Sequence, residues 1–139
     1  MKPVLVLQHL SIDAPAYLGT WLRAQGVDAD VRNADAGQDY PSSMRGFGAL
    51  AVLGGEMSAN DELPSLRLAE RLILESMDLD LPVIGHCLGG QLMARALGAR
   101  IGPATAPEIG WQSLTVADSD EARSWFGDTA QHTVFQWHH

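Results

Sequence analysis

Short apolar runs that alternate with helix-period stretches predict an α/β fold, a three-layer sandwich with a largely parallel sheet. Three runs carry that expectation. Val4-Leu5-Val6-Leu7, Ala49-Leu50-Ala51-Val52-Leu53 and Leu81-Pro82-Val83-Ile84 are apolar without alternation, as strands covered on both faces are. Helical patterns lie between them, so right-handed crossovers would join parallel neighbours.

The elements follow in order. After the first strand, Asp13 and Pro15 start a helix in which Leu18 pairs with Leu22 and Tyr17 with Trp21, and Gly26 stops it. Val27 to Val31 alternates with aspartates, as a strand near the sheet edge would. The strand at Ala49–Leu53 ends on Gly54-Gly55. Asn60 and Asp61 offer caps and Pro64 suits a first turn, opening a helix whose core face is Leu66, Ala69, Ile73 and Met77. The fourth strand, from Leu81 to Ile84, leads to a helix over Leu88–Leu97, closed by Gly98. Ile101 to Ile109 reads as loop or short edge strand, and Trp111 to Val116 as a strand. Asp118 or Ser119 caps a short helix from Glu121 to Phe126, stopped by Gly127. Thr133 to Trp137 alternates as a last strand that delivers His138 to its end.

At 139 residues and 46% hydrophobic content, one domain spanning 1–139 with a real core is expected. Nine basic against seventeen acidic residues give a net charge of −8, and no Lys/Arg cluster occurs. That balance argues against nucleic acid as a partner, because basic side chains on phosphates supply most of that affinity. No apolar run approaches the ~20 residues that span a bilayer, and the N-terminal stretch lacks a signal-peptide pattern. No membrane partner is expected. A single cysteine fits a reducing, cytoplasmic compartment and a thiol kept for chemistry.

That cysteine, Cys87, lies in Gly85-His86-Cys87-Leu88-Gly89-Gly90, where an apolar strand runs into a glycine-rich turn and then a helix. Gly-x-nucleophile-x-Gly is the pattern of a nucleophile elbow, whose glycines permit strained backbone and close packing. The helix N-terminus below would favour the thiolate. The alternative is an inert core thiol, the common state of free cysteine.

A thiolate attacking a carbonyl needs oxyanion donors, a base and an acid. The N–H of Leu88 is the usual elbow donor, and Gly55 at the neighbouring strand end can supply a second. Read blandly, Gly54-Gly55 is only a turn. There are five histidines. His86 is adjacent to Cys87, and strand neighbours point to opposite faces. His9 reads as an ordinary loop or partly buried histidine, and His132 as a surface residue. His138, at the end of the last strand, is preferred as base over His139. His138-His139 resembles half of a metal site, but adjacent strand residues diverge and no partner spacing supports it, so no metal is expected.

Four motifs in order, Gly54-Gly55-Glu56-Met57-Ser58-Ala59-Asn60-Asp61, Gly85-His86-Cys87-Leu88-Gly89-Gly90-Gln91-Leu92, Glu108-Ile109-Gly110-Trp111 and Phe135-Gln136-Trp137-His138, give the chain its likeness. It resembles the class I (triad) glutamine amidotransferases, and among them the stand-alone GMP synthase-like amidotransferases. The resemblance covers essentially the whole chain. It implies a flavodoxin-like fold, with Cys87 as nucleophile, His138 as base, Gly55 and Leu88 as oxyanion donors, and Gln91, beside Gly54, as contacts for glutamine. It implies hydrolysis of the glutamine side-chain amide through a γ-glutamyl thioester, with ammonia passed to an acceptor or a synthase partner and no cofactor.

One departure stands out. The family's histidine belongs to a His-x-Glu or His-x-Asp motif, whose acid would fall one position after His139, and the family's domain continues further. Loss of an orienting acid costs triads about 10⁴ in rate, so the 139-residue chain is expected to be weak or inactive. Open sheet edges and apolar surface would then favour a homodimer. Two other readings remain: a hydrolase of γ-glutamyl amides or peptides, and a non-catalytic binding module with an incomplete triad.

Overall fold

The computed structural model describes residues 2–138. The chain divides into two compact units, one running through Ile101 and the other beginning at Gly102.

The first unit is an α/β layer structure. Its strands are β1 (Val4–Gln8), β2 (Ala29–Asn33), β3 (Ala49–Val52) and β4 (Val83–Gly85), and its helices are α1 (Ala16–Ala24), α2 (Pro64–Asp78) and α3 (Leu88–Ala96). The sheet order is β2-β1-β3-β4 and every pair is parallel, with Val4 opposite both Ala29 and Ala49. β1 and β3 are interior strands, which explains their unbroken apolar runs. β2 is an edge strand, and it carries the Asp30–Arg32 ion pair at 2.6 Å.

Alternation along each strand sends side chains to two faces. Leu5, Leu7, Leu50 and Val52 point to one, where Leu66, Ala69, Leu72 and Ile73 of α2 and Leu88 and Leu92 of α3 complete the core. Val6 and Ala51 point to the other, against Leu18 of α1 and Val31. Each buried leucine contributes about 1.5–3 kcal/mol by leaving water. Helices on both faces of a parallel sheet give the expected three layers.

Several local expectations change. Asn60 and Asp61 do not cap α2: its N-cap is Leu63, and Pro64 takes the first helical position, where a missing N–H costs nothing. Asp61 instead accepts the Ser58 N–H at 3.0 Å, and the Asn60 amide donates to the Ile101 carbonyl at 2.9 Å. Met77 is half exposed, and the buried stripe of α2 runs through Leu72 and Ser76 instead. The Ser76 hydroxyl donates back to the Leu72 carbonyl, so its burial leaves no polar atom unpaired. Tyr17 and Trp21 of α1 face solvent.

The second unit comprises β5 (Glu108–Thr115), α4 (Asp120–Phe126) and β6 (Gln131–His138), the two strands antiparallel. β5 begins three residues before Trp111 because Glu108 has a cross-strand partner in His138. Ser119 caps α4 by accepting the Ala122 N–H at 3.1 Å, with Asp120 and Glu121 in the first turn where the helix dipole favours anions. One face of the ribbon carries Ile109, Trp111, Phe135 and Trp137, all exposed, with Trp111 and Phe135 edge-on at 5.4 Å. Among the described residues, no helix is long and apolar enough to cross a membrane.

Candidate active site

β4 ends at Gly85, and the chain turns into α3 within two residues. Cys87 makes that turn with φ 48° and ψ −109°, a conformation that costs a non-glycine residue about 1–3 kcal/mol. Three backbone bonds hold it: His86 N–H to Val52 O at 2.9 Å, Gly89 N–H to His86 O at 2.8 Å and Gln91 N–H to Cys87 O at 3.1 Å. The side chain is exposed at the N-terminus of α3. The thiol is therefore not a core group. Leu88 is the first helical residue, so its N–H has no intrahelical acceptor.

The glycines of the elbow are needed for contact rather than for flexibility. A Cβ on Gly85 would lie 2.5 Å from the Gly89 carbonyl carbon, and one on Gly89 would lie 2.0 Å from the Val52 oxygen. β3, β4 and α3 thus meet backbone to backbone beneath the thiol.

The end of β3 comes to the same place. A Cβ built on Gly54 would touch that of Cys87 at 3.6 Å, and one on Gly55 would crowd Met57 Sδ at 2.9 Å and Leu88 Cδ2 at 3.1 Å. Gly54, Gly55, Cys87 and Leu88 are therefore immediate neighbours. Gln91 follows one turn into α3, half-buried.

His86 is exposed and lies beyond the last residue of β4, so strand alternation does not determine where its ring points. His9 is almost completely buried, at 1% exposure. Tyr40 donates its hydroxyl to the Gln8 carbonyl at 3.0 Å, so the 3.0 Å contact with His9 Nδ1 requires an Nδ1–H donating to the phenol oxygen. Burial pushes the Tyr40 phenol well above its usual range and pushes the His9 imidazole below its usual 6.5. An imidazole held neutral by folding binds fewer protons than its unfolded counterpart below pH about 6.5. Its stabilising contribution is complete above that pH and is lost as pH falls toward the depressed folded value. Urea unfolding at pH 7.5 and 5.5 is expected to show this loss, and His9→Gln is expected to shrink it; an unchanged difference would refute the assignment.

In the second unit, His138 is half-buried at the end of β6. Its Nε2 lies 3.0 Å from Gln136 Oε1 and 3.2 Å from Glu108 Oε2. Glu108 is thus an acid beside His138, which sequence reasoning missed; the signal was cross-strand register, visible only once β5 and β6 are aligned. His132 is not a surface residue: it is half-buried, its Nε2 has no partner among the described residues, and its ring sits 6.2 Å from Phe126. The preference for His138 over His139 involves a residue outside those described. Among the described residues, no group of three or more His, Cys, Asp or Glu side chains is arranged to hold a metal.

Residues 18–139 match the family described as glutamine amidotransferase class-I. The glutamine amidotransferase-like protein YfeJ of Salmonella typhimurium is 31% identical over 99% of this chain and 60% of its own length. A glutamine-hydrolysing GMP synthase subunit from Natronomonas pharaonis is 32% identical over 81% of this chain and 53% of its own. A crystal structure of a glutamine amidotransferase from Methylobacillus flagellatus superposes with a TM-score of 0.93 at 35% identity, covering 99% of this chain and 55% of that one. The chain spans between half and three-fifths of the length of these proteins. Across both of its units, this chain belongs to the class-I glutamine amidotransferase family.

Proposed function

We propose that the chain carries the glutaminase chemistry of an amidotransferase, with Cys87 as nucleophile. The observation that carries the reading is the exposed thiol at φ 48° on a strand-to-helix turn, beside two strand-end glycines. The Cys87 thiolate attacks the side-chain amide carbon of glutamine, and the charge on the amide oxygen falls to the N–H groups of Gly55 and Leu88. His138 protonates the departing ammonia. It then takes a proton from the water that cleaves the γ-glutamyl thioester, releasing glutamate and restoring the thiol. Gly54 and Gln91 contact the substrate. Ammonia passes to an acceptor, and relatives named as parts of GMP synthase favour a separate synthase partner as its recipient.

The test is glutamate release from glutamine by this chain and by a form extended past His139 to the length of its relatives. Cys87→Ala is expected to abolish it, and activity that survives the substitution would end the proposal. Gly55→Ala should crowd Met57 and Leu88, leaving the protein folded but slowing turnover by about 10²-fold, the cost of one displaced oxyanion donor. Turnover at the wild-type rate in that variant would remove Gly55 from the mechanism.

A further inference from the structure

His9 is a buried polar residue that the proposed chemistry does not use. It follows β1, and the Leu53 N–H to Leu7 O bond of 2.9 Å fastens the end of β3 to the end of β1. His9 and Gly55 therefore leave the sheet side by side. A Cβ on Gly55 would lie 2.9 Å from Met57 Sδ, 3.1 Å from Leu88 Cδ2 and 3.4 Å from His9 Cβ. His9, Met57 and Leu88 together crowd the position that a side chain on Gly55 would take.

The contact toward Gly55 is made by His9 Cβ, and the imidazole it carries is held by Tyr40. Nδ1–H donates to Tyr40, and the Tyr40 hydroxyl donates to the Gln8 carbonyl, so the ring is tied through the phenol to the strand that bears it. Nε2 has no partner among the described residues and is shielded from water. One unsatisfied buried nitrogen costs about 1–3 kcal/mol. A role in packing alone is better filled by an apolar side chain of the same size. What the imidazole adds is a fixed ring orientation, which phenylalanine or leucine cannot obtain from Tyr40.

We infer that His9, braced by Tyr40, is a positioning residue that sets the backbone of Gly55 at the site where the carbonyl oxygen of the substrate is held. The inference rests on the reading of Gly55 as an oxyanion donor. His9 touches no reacting atom. It acts by keeping the β3 end from relaxing toward β1 when charge develops on the oxygen.

Two electrophiles separate this role from a merely structural one. Iodoacetamide alkylates Cys87 by direct displacement of iodide and needs no oxyanion donor. A glutamine-like chloroketone is attacked at its carbonyl, placing negative charge on the ketone oxygen; the sulfur then displaces chloride from the adjacent methylene, its bond to the carbonyl carbon breaks, and the ketone re-forms beside a thioether. His9→Phe is expected to slow the chloroketone reaction about 10- to 100-fold, the scale of a misplaced donor, with the iodoacetamide rate within about twofold of wild type. Tyr40→Phe, which keeps the ring volume and loses only the hydroxyl, is expected to act in the same direction and more weakly. It also serves should His9→Phe fail to fold. Equal chloroketone rates in wild type and variants, or equal losses with both reagents, would overturn the inference alone. A wild-type protein that takes iodoacetamide but not the chloroketone would overturn the glutamine reading, and the role of His9 with it.

Discussion

Gly89→Ala is expected to destabilise the protein by about 3 kcal/mol or more, lowering its thermal midpoint by roughly 10 °C. The added methyl would sit 2.0 Å from the Val52 carbonyl oxygen and 2.8 Å from its carbon, both backbone atoms of an interior strand. Overpacking is tolerated where a flexible side chain can swing away. Here α3 must lift off β3 instead, carrying Leu88 and Leu92 out of the core. Gly90→Ala is the control, because its methyl meets nothing nearer than the Gly85 oxygen at 3.7 Å. Differential scanning calorimetry of both variants checks the contrast; similar midpoints would mean that α3 does not depend on close approach at Gly89.

The second large effect concerns Cys87. Cys87→Gly is expected to abolish glutamate release completely and at the same time to stabilise the fold by about 1 kcal/mol, whereas Cys87→Ala abolishes release without that gain. Both remove the sulfur. Only glycine relieves the strain of φ 48°, ψ −109°, worth about 1–3 kcal/mol, less the greater entropy it gives the unfolded chain. Urea midpoints of the two variants provide the comparison, and an alanine variant as stable as the glycine one would show that the elbow holds no strain.

Much of the first unit was legible because its interior strands are self-declaring. Val4–Leu7 and Ala49–Val52 are apolar on both faces for the plain reason that strands and helices surround them. The elbow was legible because Gly85 and Gly89 are demanded by backbone contact, which leaves a trace at fixed spacing. Helix faces were less so: apolar spacing alone did not separate Met77, half in solvent, from Leu72, fully buried. The caps at Asn60 and Asp61 were misread because Asp61 binds the Ser58 N–H within its own loop while Asn60 reaches the distant Ile101 carbonyl. His9 was read only as an ordinary loop or partly buried histidine because its hydrogen-bond partner, Tyr40, is distant in sequence. Nothing near His9 announces it.

The parallel order β2-β1-β3-β4 also sets a timetable. Val4 must wait for Ala29 and then Ala49, and the bond from His86 N–H to Val52 O forms only after all of these have been made. At roughly 5–20 residues per second, a ribosome leaves β1 without its final neighbours for several seconds. Through that interval Leu5 and Leu7 are open to wrong partners, while β5 and β6, joined by α4, need only residues close at hand. The backbone geometry of Cys87 is thus among the last things the first unit acquires. A nascent chain carries Cys87 for some time before it carries the turn that presents it.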